Sequence, residues 1–217
     1  EAQLGATHFA YKYVDLAIDP EARTANLTVR GPEREEDPDK LAASGVEPWA
    51  LRAFRELDDA LLHLRFDLPD IGMVTVRTAG DAALVRHADE ALAKSATGFA
   101  SEVRLLQRRV LKRYDNTART FYAVADRADS CFAGVLLELA LGADRFYMLI
   151  DGDEAIAVHT SIANAGFMTM VSGLSRLDAR FLGEPARAGK VLARGAEGPI
   201  PSEEAESLGL ATVAADD

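Results

Sequence analysis

One carboxylate stands out because of its surroundings. Glu138 is the only charged residue in the run from Phe132 to Ala143. This run has helical length and is apolar nearly all round, which predicts a buried helix. Burial raises the pKa of a carboxyl group that lacks hydrogen bonds. We consider two roles for Glu138: a catalytic or substrate-facing acid, and a partly buried carboxylate that holds a helix end.

Residues that bind metals do not occur at the required spacings. Asp151-Gly152-Asp153-Glu154 resembles the start of a calcium loop but lacks the later bidentate glutamate, so it predicts a turn between strands. The single cysteine, Cys131, excludes an internal disulfide and a CxxC zinc site. We therefore predict no metal and no organic cofactor. The four histidines show neither HxxxH nor HExxH spacing: His8, His63, His87 and His159.

The charge balance limits the classes of partner. The chain has 217 residues, 48% of them hydrophobic, and a net charge of -11. An acidic chain is a poor general ligand for nucleic acid or anionic lipid. No apolar run approaches the roughly 20 residues of a membrane span, and no signal sequence opens the chain, so we expect a cytoplasmic protein. Because the chain lacks a starting methionine, we expect it to be part of a longer protein.

The remaining pattern predicts the elements that position these residues. Strands at 11–18 and 24–30 predict a leading β-hairpin (1–30), and an acidic connection (31–47) precedes one larger domain (48–217). Alternating strands and helices predict an α/β layer fold with short parallel strands. The predicted elements are helix 48–67, strand 73–76, helices 81–94 and 99–115, strand 119–125, helix 132–143, strands 146–150 and 155–158, and helices 171–182 and 202–208.

Three motifs resemble the crotonase (enoyl-CoA hydratase/isomerase) superfamily, and the resemblance covers about 73–213. The first is a strand followed by a buried helix with the pattern Gly-x-x-x-Glu-Leu-Ala-Leu, which runs from Gly134 to Leu141 and is followed by Asp144. The others are the Gly-x-x-Arg-Leu helix start at 173–177 and the helix-to-strand ending at 202–211. The resemblance implies a crotonase-like spiral of repeated strand-strand-helix units, preceded here by the β-hairpin.

The resemblance also implies site residues. In this superfamily two backbone N–H groups stabilise the oxyanion of an acyl-CoA thioester. The resemblance assigns one of these two backbone donors to Gly134 and Val135, at the start of the buried helix. The other falls in Arg86-His87-Ala88-Asp89, where active members have Ala-Gly-Ala-Asp, and we expect Arg86 and His87 on an ordinary helix surface. Glu138 matches the first glutamate of hydratases, whereas Ile162 stands at the second and cannot transfer a proton.

A basic helix face is the candidate site for coenzyme A, which would enter as part of the substrate. Arg108, Arg109 and Lys112 belong to a run, with Arg104 and Arg113, that helical spacing places largely on one face. Guanidinium and ammonium groups bind phosphates well. The alternative is an ordinary solvated face.

Four further segments resemble one branch of the superfamily, the carbon–carbon lyases of aerobic benzoate degradation: 55–65, 70–72, 130–134 and 143–149. These lyases open the ring of an oxygenated benzoyl-CoA derivative, a dihydrodiol or 2,3-epoxide, to an aldehyde thioester and formate. They carry two crotonase-like halves, and this chain resembles the second. The resemblance implies three partners: an acyl-CoA substrate, the other half, and further copies in a homo-oligomer. Two alternatives stay open, a non-catalytic structural or interaction domain and a stand-alone acyl-CoA hydratase or isomerase.

Overall fold

An eight-stranded mixed sheet organises the computed structural model, which describes residues 3–38, 40–150 and 156–216. The sheet is antiparallel from β1 to β4 and parallel from β4 onward. In spatial order its strands are β1 (Gln3–Leu4), β2 (His8–Ala10), β3 (Val14–Asp19), β4 (Thr24–Arg30), β5 (Met73–Ala79), β6 (Thr120–Ala125), β7 (Arg145–Leu149) and β10 (Val213–Ala215).

The predicted leading hairpin is confirmed, and it is continuous with the rest of the sheet. β3 and β4 pair antiparallel with Val14 opposite Val29. β4 then pairs in parallel with β5, with Leu27 opposite Val76. The hairpin and the segment after residue 48 therefore share one sheet. β1 and β2 were not predicted, because strands of two and three residues show almost no alternation.

Helices cover the sheet and follow the predicted alternation closely. Their bounds are α1 (Trp49–Phe66), α2 (Ala82–Lys94), α3 (Gly98–Asp115), α4 (Gly134–Leu141), a 3₁₀ turn (Ile162–Asn164), α5 (Arg176–Arg180), α6 (Pro185–Glu197) and α7 (Ser202–Ser207). All eight residues of α4 are buried, which confirms the prediction from its apolar surroundings. None of the described helices combines the length and apolar character needed to cross a membrane.

The C-terminal third differs from the sequence prediction in two helices. The predicted helix at 171–182 is wrong in length, because α5 begins only after Ser175, whose hydroxyl accepts from the Asp178 amide at 3.0 Å. Val171 lies outside it and is 69% exposed. α6 was missed, because its buried face is built partly from Ala188 and Gly195, which carry little hydrophobic signal.

The last predicted strand lies partly outside the described residues. The predicted turn at 151–154 lies wholly outside them. The strand at 155–158 is present as β8 (Ala157–Val158), which pairs antiparallel with β9 (Ile200–Pro201) in a separate two-stranded sheet.

α4 joins the two halves of the hydrophobic core. Val135 and Leu139 pack in the cluster formed with the first strands and α1 to α3. Leu137 and Ala140 pack in the second cluster with β7, α6 and α7. Because both clusters hold α4, its N-terminus is a rigid point in the fold.

Candidate functional site

The start of α4 turns sharply at Gly134. This glycine has φ +44°, a left-handed conformation that side-chain-bearing residues rarely adopt. Its N–H donates to the His159 carbonyl at 2.9 Å, and its carbonyl accepts from Asn164 Nδ2 at 3.0 Å. The next amide, that of Val135, lies in the first turn of α4, where backbone N–H groups have no partner within the helix.

A buried carboxylate occupies that donor. Val135 N–H donates to Asp89 Oδ2 at 3.0 Å, and Ser161 Oγ donates to the same oxygen at 2.5 Å. Asp89 lies on the inner face of α2 and is 5% exposed. The backbone donor that the resemblance assigns to an oxyanion is therefore present, and an internal carboxylate is bound to it.

Burial dominates the titration of Asp89. It raises the pKa of this carboxyl group to about 7, although the bonds from Ser161 and Val135 act in the opposite direction. The negative charges of Glu138 and Glu90 add to the rise. Asp89 therefore changes protonation near neutral pH, as a general acid or base requires.

Gly134 also makes room for this carboxylate. A Cβ atom at position 134 would lie 1.9 Å from Asp89 Oδ2 and 2.5 Å from Ser161 Oγ. Neither distance is compatible with a real side chain. The glycine thus serves both the turn into α4 and the approach of Asp89.

Glu138, one turn further along α4, is held by an internal ionic network. Its Oε2 accepts from Arg176 Nη1 at 2.9 Å and its Oε1 from Asn164 Nδ2 at 2.7 Å. Arg176 also holds both oxygens of Asp115, at 3.0 and 2.7 Å. Burial raises the pKa of Glu138, and the Arg176 guanidinium opposes the rise. Glu138 is 2% exposed, so the geometry accounts for it as a structural ion pair, while a part in catalysis stays a prediction.

A cavity of about 200 Å³ lies beside Asp89, between α2, α3 and the segment that follows the 3₁₀ turn. Its polar lining comes from Asp89, Gln107 and Arg104. Its apolar lining comes from Leu92, Ala93, Ile162, Ala163, Phe167 and Met168. Few polar groups in an apolar wall are typical of small-molecule sites.

Ile162 and Phe167 form the rim of this cavity, because they are 55% and 37% exposed. The guanidinium groups of Arg104 and Arg108 lie 5.1 and 5.7 Å from the centre of the Phe167 ring. The rim is therefore positively charged. The position of the second hydratase glutamate, Ile162, borders the cavity as the resemblance implies, and it supplies no acid.

The basic run divides between two surroundings. Arg108 faces the rim of the cavity through Phe167. Arg109 and Arg113 instead face Asp58 on α1, at 3.9 and 2.9 Å. Lys112 is half-buried in the last turn of α3. Of the three candidate coenzyme A ligands, Arg108 therefore has the position best suited to the cavity.

Cys131 is a buried free cysteine. Burial raises the pKa of the Cys131 thiol to about 11, which leaves it protonated and unreactive. Among the described residues, no group of three or more His, Cys, Asp or Glu side chains could hold a metal ion.

Three residues of the site were not predicted: Asp89, Gln107 and Ser161. A signal existed for the first two, because Asp89 shares the apolar helix face of Val85 and Leu92, and Gln107 lies on the buried face of α3. A polar residue in an apolar stripe is the pattern to look for. Ser161 has no such signal.

A comparison with curated proteins gives one close relative for nearly the whole chain. The chain is 42% identical over 212 residues to benzoyl-CoA-dihydrodiol lyase of Aromatoleum evansii. The match covers 96% of this chain and 38% of that protein, so the chain spans well under half of its relative. No protein-family profile matches the chain.

Solved structures establish the fold. An enoyl-CoA hydratase/carnitine racemase from Magnetospirillum magneticum superposes with a TM-score of 0.66 and 18% identity, over 96% of this chain and 70% of that one. An enoyl-CoA hydratase from Thermoplasma volcanium GSS1 gives 0.62 and 18%, over 95% and 73%. The chain thus has the crotonase fold, and it is a homologue of the lyase over the matched part.

Proposed function

We propose that this chain is the crotonase-like half of a carbon–carbon lyase that opens the ring of an oxygenated benzoyl-CoA derivative. The substrate would be a dihydrodiol or 2,3-epoxide of benzoyl-CoA, and the products an open-chain aldehyde thioester and formate, in aerobic benzoate degradation. The observation that carries the proposal is 42% identity over 96% of the chain to a protein named for this substrate class. Coenzyme A enters as part of the substrate.

The cavity supports a ring-binding part for this half. Its apolar walls suit a six-membered carbon ring, and its cationic rim suits the anionic remainder of a thioester. In this proposal Arg108 attracts the coenzyme A phosphates and Lys112, four residues later, extends the same helix face, whereas Arg109 faces Asp58.

The proposal assigns most of the proton transfer to the other crotonase-like half. Two observations support this division. Val135 N–H is already bonded to Asp89, so a thioester oxygen would have to displace a carboxylate to use it. Ile162 gives no second carboxylate beside Glu138, whereas water addition needs one group to give a proton and another to activate water.

The alternative is a structural or interaction domain without a ligand. The internal bonds of Asp89, Glu138 and Arg176 favour it, because they satisfy the groups that a catalytic site would leave available. A stand-alone hydratase or isomerase is disfavoured by Ile162. We further propose that the full protein is cytoplasmic and forms a homo-oligomer.

The test is turnover by the full-length protein that contains this chain. The protein is incubated separately with the dihydrodiol and with the 2,3-epoxide of benzoyl-CoA; formate is measured with formate dehydrogenase, and the aldehyde thioester by mass spectrometry. We expect one formate for each substrate molecule consumed with at least one of the two. Hydration of crotonyl-CoA without formate from either compound would contradict the proposal.

Glu138→Gln in the same protein separates the two roles of Glu138. A structural ion pair predicts a lower melting temperature, with formate release per folded molecule largely kept. A catalytic role predicts an unchanged melting temperature and lost formate release. Glu102→Gln, which removes an exposed carboxylate of α3, is the matched control.

A further inference from the structure

Gln107 is buried without a hydrogen-bond partner. It is 1% exposed, and within the described part of the chain neither its side-chain oxygen nor its side-chain nitrogen is bonded. Leaving a buried amide unpaired is costly, so each such group in a folded protein calls for an explanation. Gln107 lines the cavity beside Asp89, where a ligand could supply the missing partners.

Asp89 presents a second polar group to the same cavity. The two hydrogen bonds that Asp89 accepts, from Val135 N–H and Ser161 Oγ, both end on its Oδ2 atom. The other oxygen, Oδ1, is thereby left for a ligand. Apolar side chains, among them Leu92, Ala163 and Met168, surround these two polar groups.

The size of the cavity limits what can enter. Its volume is about 200 Å³. An apolar cavity of about 150 Å³ binds benzene. The space beside Asp89 and Gln107 is therefore large enough for one six-membered ring with small polar substituents.

We propose that this cavity binds a hydroxylated six-membered ring, with Gln107 and Asp89 holding its hydroxyl groups. The inference rests on the proposed function and identifies the part of the substrate that this chain would hold. A hydroxyl group both donates and accepts, so it can donate to Gln107 Oε1 or Asp89 Oδ1 and accept from Gln107 Nε2. A ring without hydroxyls would leave the amide unpaired, and sites built for a hydroxyl reject such analogues strongly.

The rim sets the direction of binding. Arg104 and Arg108 carry positive charge around Phe167, whereas the inner polar groups are a carboxyl and an amide. A ligand with a neutral ring and an anionic tail therefore binds with the ring inside and the tail at the arginines. Gln107 is in this account a specificity-determining residue.

The experiment uses two matched probes on the 217-residue chain. The probes are cis-1,2-dihydroxycyclohexa-3,5-diene and benzene, which are both six-membered carbon rings; the first is a diene with two hydroxyls on tetrahedral carbons, and the second is aromatic and has none. Kd values come from NMR titration, and chemical-shift changes locate each probe. We expect the diol to bind at the cavity at least about tenfold more tightly than benzene.

Gln107→Met removes the amide while keeping side-chain length. We expect it to reduce diol affinity at least about tenfold, to spare benzene, and to raise the melting temperature because a buried unpaired amide is gone. Leu105→Met, at an exposed position of α3, is the control and should change neither. Equal affinities of the wild-type chain for both probes would overturn the inference, and this comparison holds even if the variant fails to fold.

The results distinguish this inference from the proposed function. Diol binding at the cavity in a protein whose full-length form releases no formate would refute the lyase and keep the ring site. Formate release by a protein whose cavity prefers benzene, or binds neither probe, would refute the ring site and keep the lyase.

Discussion

Asp89→Asn should change the pH dependence of stability in a direction that the structure determines. The pKa of Asp89 is raised to about 7 in the folded chain by burial, against about 3.9 in an unfolded one. Between these two values the folded state binds more protons than the unfolded state. The protonated Asp89 carboxyl therefore makes its full contribution to the free energy of unfolding below about pH 4. This contribution is lost as the pH rises through 7.

The magnitude follows from the same two pKa values. Between pH 5 and pH 8, ionisation of Asp89 should cost the wild-type chain about 2 to 3 kcal/mol. Asparagine has the same shape, and its oxygen can still accept from Val135 N–H and Ser161 Oγ, but it does not ionise. The variant should therefore gain about 2 to 3 kcal/mol relative to wild type when the pH is raised from 5 to 8.

Urea unfolding at several pH values measures this difference. The comparison of variant with wild type cancels the other buried carboxyls, including Glu138 and Asp115. Glu102→Gln, at an exposed position of α3, serves as the control. Parallel stability curves for Asp89→Asn and wild type would refute the assignment of a buried, titrating carboxyl to this position.

Two further substitutions test the packing around α4, both by chemical unfolding. Gly134→Ala should destabilise the chain by about 3 kcal/mol or more, because it strains the left-handed backbone and breaks the charge-assisted hydrogen bond to Asp89. The control is Gly189→Ala, at a position of α6 with open space around it, which should be neutral or slightly stabilising. Equal effects of the two substitutions would contradict the close approach of Asp89 to Gly134. Arg176→Met should lower stability by about 3 to 5 kcal/mol, because it leaves the Glu138 carboxylate buried without its cation. The double variant with Glu138→Gln should recover part of this stability. A near-neutral effect of Arg176→Met alone would contradict the ionic network around Glu138.

Much of the fold could be predicted from local pattern. The alternation in β3 and β4 and the apolar run of α4 each report burial directly. α6 could not be predicted in this way, since a helix that buries Ala188 and Gly195 relies on close packing more than on hydrophobicity. The parallel pairing of β4 with β5 depends on contacts between segments more than 40 residues apart.

The site was less predictable than the fold, because its hydrogen bonds join segments that are far apart in the sequence. Glu138 and Val135 follow from one motif, but the bond that Val135 makes depends on Asp89, 46 residues earlier in the chain. The resemblance placed Asp89 in the run 86–89, of which Arg86 and His87 were expected on a helix surface. Arg86 and His87 are half-buried, whereas Ala88 and Asp89 face inward. Which side of a helix meets a site is decided by packing that the run itself does not encode.

A calorimetric titration of the 217-residue chain with a dihydrodiol of benzoyl-CoA, with coenzyme A as the control, tests the central claim most directly. The claim is that this chain has a pocket for the acyl ring. We predict that the dihydrodiol binds at least about tenfold more tightly than coenzyme A, and that Ala93→Phe, which fills the cavity, abolishes the difference. Equal binding of both compounds, or no heat from either, would contradict the claim and favour a crotonase domain kept for structure alone.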